Sequence, residues 1–128
     1  MIWMIAGLIA AAVSFLANRF TYRVWSESAL LGPIPLAEEV AKTMIAYFLG
    51  TSIFYTHLVF GITEAFLDWH GQRRGIPAAV SAIIAHSVFG LITMAATRVA
   101  GAVGVGIAVA FFAHAVWNAV MLFRTVKR

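Results

Sequence analysis

The sequence predicts an all-α integral membrane protein, a helical bundle of about five transmembrane helices. Of its 128 residues, 62% are hydrophobic and only 11% are charged, and the mean hydropathy is +0.93. A soluble domain carries about 25% charged residues, so this chain has too little polar surface to cover a water-soluble globule. The composition excludes a soluble enzyme or a nucleic-acid-binding protein, and the lipid bilayer is the first expected partner.

The first three predicted helices follow from where apolar stretches begin and end. The stretch Met1–Ala17 is apolar apart from Ser14 and lacks the basic start of a signal peptide, so it is interpreted as a retained span. Residues 18–35 contain charges, glycine and prolines, which predicts the longest loop or interfacial stretch. The apolar stretch from 36 to 69 is too long for one span of about 20 residues. We expect a break at Gly50-Thr51-Ser52, which divides it into two short helices.

Two further helices are predicted in the second half of the chain. Residues 70–75, H-G-Q-R-R-G, form a predicted turn, and Pro77 suits the first turn of a helix that runs to about Thr97. Residues 98–101 make a tight connection, and the last helix extends to about Phe123. We therefore expect one transmembrane domain over 1–128, with a motif-bearing core over 36–123.

The distribution of basic residues predicts the orientation of these helices. With five spans, Arg98 lies on one side, Lys42 lies within a helix, and the other seven Lys and Arg share the opposite side: Arg19, Arg23, Arg73, Arg74, Arg124, Lys127 and Arg128. Four spans would give a weaker asymmetry. Since positive residues accumulate on the cytoplasmic side, the N-terminus is expected outside and the C-terminus in the cytoplasm.

The predicted helices contain ionisable residues that a membrane span rarely carries. These are Glu38, Glu39, Lys42, Glu64, His86 and His114, with Asn118 one turn after His114. Three unpaired carboxylates would cost on the order of 8–10 kcal/mol in the bilayer, so they must pair, bind an ion or contact water. At 1.5 Å per residue, all of them lie roughly 5–15 Å below the cytoplasmic surface. Their common depth predicts one cluster.

Helical spacing predicts which of these side chains project together. Glu38 and Lys42 are four residues apart, so they share a helix face and can neutralise each other. His114 and Asn118 have the same spacing. His57 belongs to no motif and lies in the outer half of its helix, so we interpret it as a hydrogen-bonding residue between helices.

The motifs in this order resemble the PrsW branch of intramembrane proteases, which is related to the CAAX prenyl endopeptidases and bacteriocin-processing proteins. The resemblance rests on E-E-x-x-K at 38–42, F-x-x-x-E at 60–64, the helix-borne His86 and H-x-x-x-N at 114–118. It covers roughly residues 35–120. It implies an enzyme that hydrolyses a peptide bond of a membrane-associated protein or peptide.

The residue chemistry allows that hydrolysis by two routes. In the first, Glu64, His86 and His114 are ligands of a metal such as Zn²⁺, with a fourth position for water, and Glu38 or Glu39 is the general base. In the metal-free route, a glutamate and a histidine activate water directly, and His114 and Asn118 donate hydrogen bonds to the oxyanion. Lys42 supports the glutamate pair in both.

Two other functions remain open at this point. Buried glutamate and histidine chains also occur in proton- or cation-coupled transporters and channels, although the chain contains no inverted repeat. A non-catalytic membrane scaffold of the same family is the other alternative. The short connection at Gly50 leaves open whether the chain acts alone or as a homo-oligomer.

Overall fold

The computed structural model describes residues 1–70 and 75–126, and this part of the chain is helical without any strand. Five α-helices are present, with a short 3₁₀ helix (Ser26–Leu31) between the first two. They are α1 (Ile2–Trp25), α2 (Pro33–Phe48), α3 (Ile53–His70), α4 (Gly75–Ala100) and α5 (Val103–Val126). The prediction of an all-α bundle with five helices is confirmed.

Within the described residues, three helical stretches are long and apolar enough to cross a membrane: Ile2–Leu31, Gly75–Ala100 and Val103–Phe123. Large hydrophobic side chains on these helices lie exposed on the outside of the bundle, for example Leu16, Leu91 and Phe112. An apolar exterior of this kind is the surface that lipid contacts. The protein therefore has the character of a membrane protein.

The predicted loop over residues 18–35 is wrong for most of its length. Helix α1 continues through Trp25, the 3₁₀ helix follows, and α2 already begins at Pro33. Between Asn18 and Trp25 no glycine or proline interrupts the helix, and proline is favoured in the first turn of a helix. The charges of this stretch lie toward the C-terminal end of a long helix and in the residues that follow it.

The predicted break between α2 and α3 is confirmed. Helix α2 ends at Phe48 and α3 begins at Ile53. Gly50 has a φ of 58°, a backbone conformation that glycine adopts without steric cost. The Ser52 hydroxyl then accepts a hydrogen bond from the Tyr55 amide at 3.3 Å, as expected of a residue that caps a helix N-terminus.

The connections around α4 agree with the sequence only where they are described. Residues 71–74 of the predicted turn, and the C-terminal residues 127 and 128, lie outside the described part of the chain. Helix α4 extends past the predicted Thr97 to Ala100. Gly101, with a φ of 67°, then makes the tight connection to α5.

Helices α1 and α3 run parallel to each other. The Trp3 and Tyr55 rings are 5.2 Å apart, and four residues further along both helices a β-carbon on Gly7 would lie 2.6 Å from Val59. The two helices therefore have the same N-to-C direction.

Helices α3 and α4 run antiparallel and pack closely through two glycines. A β-carbon on Gly61 would lie 3.0 Å from the His86 Cβ, and one on Gly90 would lie 2.9 Å from the His57 Cβ. Since small residues let membrane helices approach closely, the glycines bring both histidines against the neighbouring backbone.

Helix α5 returns antiparallel to α4 and lies beside α2. The Phe89 and His114 rings stack at 4.6 Å, while Gly106 packs against Thr97. Near the other end, Asn118 contacts Leu30 just before α2. The helices thus alternate in direction, which places Arg98 at the end opposite to Arg19 and Arg23, as the charge distribution predicts.

Candidate functional site

The site begins on α2, whose buried face carries three charged side chains. Glu38 is 5% exposed, and Glu39 and Lys42 are fully buried. The Lys42 ammonium donates a 2.6 Å hydrogen bond to Glu39 Oε1. The predicted pairing of Lys42 with Glu38 is therefore replaced by the i,i+3 pairing with Glu39. Both spacings put a lysine on the same helix face, and the tertiary packing selects between them.

Helices α3 and α4 extend the cluster from Lys42. The Lys42 Nζ lies 3.0 Å from His86 Nδ1, and His86 Nε2 lies 2.5 Å from Glu64 Oε2. An ammonium group can only donate, so Nδ1 accepts and Nε2 carries the proton that is donated to Glu64. The Glu64 side chain is 41% exposed, and it is the point at which these buried groups meet the surroundings.

The phenylalanine of F-x-x-x-E packs against the same two residues. The Phe60 ring centroid is 4.5 Å from the Lys42 ammonium and 4.9 Å from the His86 ring. The face of an aromatic ring attracts a cation, most strongly where water is excluded. Phe60 thereby stabilises the buried lysine without adding a polar group.

Helix α5 completes the cluster with His114, which is 4% exposed. Its Nδ1 lies 2.9 Å from Glu39 Oε1. A carboxylate accepts, so Nδ1 carries a proton, and in the neutral imidazole Nε2 then has a lone pair. That Nε2 lies 3.8 Å from Glu38 Oε2. Glu39 thus orients the imidazole, and its unprotonated nitrogen faces the second glutamate.

His57 is a member of the cluster that the sequence did not indicate, although its predicted hydrogen bond to a neighbouring helix is confirmed by Thr43 of α2. It is fully buried, with Nδ1 3.7 Å from Glu39 Oε2 and Nε2 3.3 Å from the Thr43 hydroxyl. A signal was available, because His57 precedes Glu64 by seven residues, which is two helical turns on one face. Its place in the outer half of α3 outweighed that periodicity in the prediction.

Asn18 is the second missed residue. Its side-chain amide donates a 2.6 Å hydrogen bond to Glu38 Oε1. Residues 18–35 were predicted to be a loop or interfacial stretch, and neither alternative indicated a contact between Asn18 and the site. A continuous α1 places it one turn after the buried Ser14.

The hydrogen bond of the Asn118 side chain is made outside the cluster. Its amide donates to the Leu30 carbonyl at 2.9 Å, which ties α5 to the 3₁₀ helix. The i,i+4 spacing with His114 is as expected, but the partner found is a backbone carbonyl. This contact gives Asn118 a structural role. No contact of its side chain supports the predicted role as an oxyanion donor.

Glu38, His86 and His114 form a group that could hold a metal ion, since one ligand atom of each lies within 4.8 Å of the others. The predicted ligand set contained Glu64, which instead contacts His86. The fit is incomplete, because both nitrogens of His86 already have partners, and one of them is a cation. A metal on His86 would have to displace either the Lys42 ammonium or the Glu64 carboxylate.

The charges of the cluster do not cancel. Three carboxylates face one ammonium group, with the histidines neutral in the hydrogen-bonding pattern given above. Charges in a bilayer are expensive unless paired or solvated. The remaining negative charge is stabilised by imidazole and amide donors.

Comparisons with known proteins add nothing to this geometry. No protein-family model, no curated protein and no solved structure matches the chain. The PrsW resemblance therefore stays a prediction from the motifs, and the chemistry must be argued from the side chains themselves.

Proposed function

We propose that the protein is an intramembrane endopeptidase of PrsW type that hydrolyses a peptide bond of a membrane-associated protein or peptide. The observation that carries this proposal is the facing pair of His114 Nε2 and Glu38 Oε2, 3.8 Å apart in a nearly buried site. One water molecule can contact both atoms at hydrogen-bond distance. A lone-pair nitrogen beside a carboxylate is the arrangement that general-base activation of water requires.

The proposed reaction uses His114 as the proton carrier. His114 Nε2 takes a proton from the water, whose oxygen attacks the peptide carbonyl while Glu38 accepts its other hydrogen bond. Glu39, bonded to Nδ1, stabilises the imidazolium that forms, as the carboxylate does in serine-protease triads. The C–N bond then breaks, and His114 returns the proton to the leaving amine. Glu38 receives the proton of the new carboxylic acid or leaves it to solvent.

We favour the metal-free route over the metal route for this reaction. A zinc ion would supply a polarised water, and Glu38, His86 and His114 would hold it. The Lys42 ammonium, 3.0 Å from His86 Nδ1, would repel a cation there. Elemental analysis and a chelator test the choice: activity without bound metal supports the metal-free route, and loss of activity that zinc restores contradicts it.

We further propose that all five helices lie across the bilayer, with the C-terminus in the cytoplasm. Helices α2 and α3 have 16 and 18 residues, or about 24 and 27 Å at 1.5 Å per residue. The hydrocarbon core is about 30 Å thick, so these two helices, which carry part of the site, are long enough to span most of it. Such short helices bring interfacial water nearer to the cluster, and Glu64 provides the exposed point of contact.

The deciding experiment is cleavage of a membrane-associated peptide by the purified protein in liposomes. We expect cleavage by the wild type and its loss in Glu38→Gln and His114→Ala. Matched controls are Glu27→Gln and His70→Ala, which change the same residue types at exposed positions. Equal cleavage by wild type and both site variants would reject the proposal, as would an inactive wild type across a panel of membrane-associated peptides.

A further inference from the structure

Helix α1 lies almost wholly outside the motif-bearing core, yet one face of it reaches the site. Ser14 is 1% exposed, and Asn18, one turn later, is half-buried. The helix is held against α3 by contacts at Trp3 and Gly7, which precede Asn18 along α1. Its position is therefore set independently of what Asn18 contacts.

The Asn18 amide contacts one of the two carboxylate oxygens of Glu38 and leaves the other for His114. Its Nδ2 donates to Oε1 at 2.6 Å, while Oε2 is the oxygen 3.8 Å from His114 Nε2. A hydrogen bond to a carboxylate is about twice as strong as a neutral one. One oxygen is thus occupied from the α1 side, and the rotation of the carboxylate is fixed with the other oxygen facing the imidazole.

The hydrogen bonding of Asn18 does not fit a purely structural role. Its Oδ1 is buried and has no hydrogen-bond partner among the described residues. A buried polar atom without a partner is destabilising, so an apolar side chain would serve better if the position were needed only for packing. The amide is explained by the donor it presents to Glu38.

We propose that Asn18 is a positioning residue of the hydrolytic site, which it serves by fixing Glu38 for the contact with water and His114. The inference rests on the proposed function and adds α1 to the elements that build the site. Each of the two groups that face each other is then oriented by a hydrogen-bond partner: Glu38 by Asn18, and His114 by Glu39.

The contact can be tested without any activity, because Asn18 and Asn118 are the two asparagines in the chain. In protein labelled with ¹⁵N-asparagine in nanodiscs, each side-chain amide gives its own pair of NMR signals. We expect Glu38→Gln to shift the Asn18 pair and to leave the Asn118 pair in place. Glu27→Gln, at an exposed position, should move neither. An Asn18 pair unchanged by Glu38→Gln would overturn the proposal.

Cleavage kinetics test the consequence. We expect Asn18→Ala to lower kcat about 10- to 100-fold, the range expected for a lost hydrogen bond to a charged group, with little change in KM. Asn18→Leu keeps nearly the same side-chain shape and removes the donor without adding a charge, so it should be equally impaired even if the alanine variant folds poorly. Ser14→Ala, on the same buried face, should retain activity.

The outcomes separate this inference from the proposed function. Full activity of Asn18→Leu, or equal loss in Ser14→Ala, would overturn the positioning role of Asn18 while leaving the proposed peptidase activity intact. An inactive wild type whose Asn18 signals still respond to Glu38→Gln would instead reject the hydrolysis, and with it any part of Asn18 in a reaction.

Discussion

Removal of the Lys42 charge is the most direct test of how the cluster is held together. Lys42 is fully buried, bonds Glu39 and His86, and lies over the Phe60 ring. Methionine has nearly the same length and shape, so Lys42→Met removes the charge with little change in packing. It leaves Glu39 buried without the ammonium group that compensates its negative charge.

The expected cost is large for one side chain. Breaking a buried ion pair by removal of one partner costs about 3–5 kcal/mol, because the other charge stays buried. This corresponds to a change of more than about 100-fold in the unfolding equilibrium. Thr43→Val is the matched control, since Thr43 is the next residue, is fully buried, and makes one neutral hydrogen bond. Neutral hydrogen bonds between membrane helices average about 0.6 kcal/mol.

The assay is reversible unfolding in mixed micelles with increasing SDS, followed by the fluorescence of the four tryptophans. A double-mutant cycle with Glu39→Gln isolates the pair. We expect Lys42→Met/Glu39→Gln to be less destabilised than the sum of the single variants by about 2 kcal/mol or more, because neither charge is left unpaired. A Lys42→Met cost no larger than that of Thr43→Val, or additive effects, would refute the ion-pair reasoning.

Three further predictions follow from particular contacts. In ¹⁵N-histidine NMR spectra, His86 should be the Nε2–H tautomer and His114 the Nδ1–H tautomer, and the opposite assignment of either would contradict the hydrogen-bonding pattern. Gly90→Ala should cost about 1–3 kcal/mol through overpacking, since its β-carbon would meet His57 at 2.9 Å, whereas Gly104→Ala, with nothing within 4 Å, should cost none. A reporter fused to the C-terminus should read as cytoplasmic, and an external reading would reverse the orientation derived from the basic residues.

The sequence predicted the helices and the members of the cluster more successfully than the contacts between them. Break and turn positions such as Gly50 and Gly101 follow from local chemistry, since glycine alone takes a positive φ without cost. The common depth of the ionisable residues follows from helix rise, and the structure brings them together.

The pairings could not be predicted in the same way. Lys42 has a glutamate both three and four residues before it, and the choice depends on how α2 is rotated against α4 and α5, which no local pattern encodes. Asn18 was lost because charge and proline in residues 18–35 suggested a loop. A long helix that leaves the membrane carries the same charges at its end, so composition alone does not distinguish the two structures.

The adjacent glutamates of α2 serve different neighbours because of helix geometry. Successive residues are about 100° apart around a helix, so two adjacent side chains point in different directions and can contact His114 only at opposite nitrogens, Glu38 near Nε2 and Glu39 near Nδ1. Glu38 bonds α1 through Asn18, while Glu39 contacts Lys42, His114 and His57. They are therefore not a dyad sharing one proton. Glu39 connects three helices, α2, α3 and α5. One oxygen of Glu38 takes no part in those contacts, which leaves Glu38 as the carboxylate that can hydrogen-bond a water molecule.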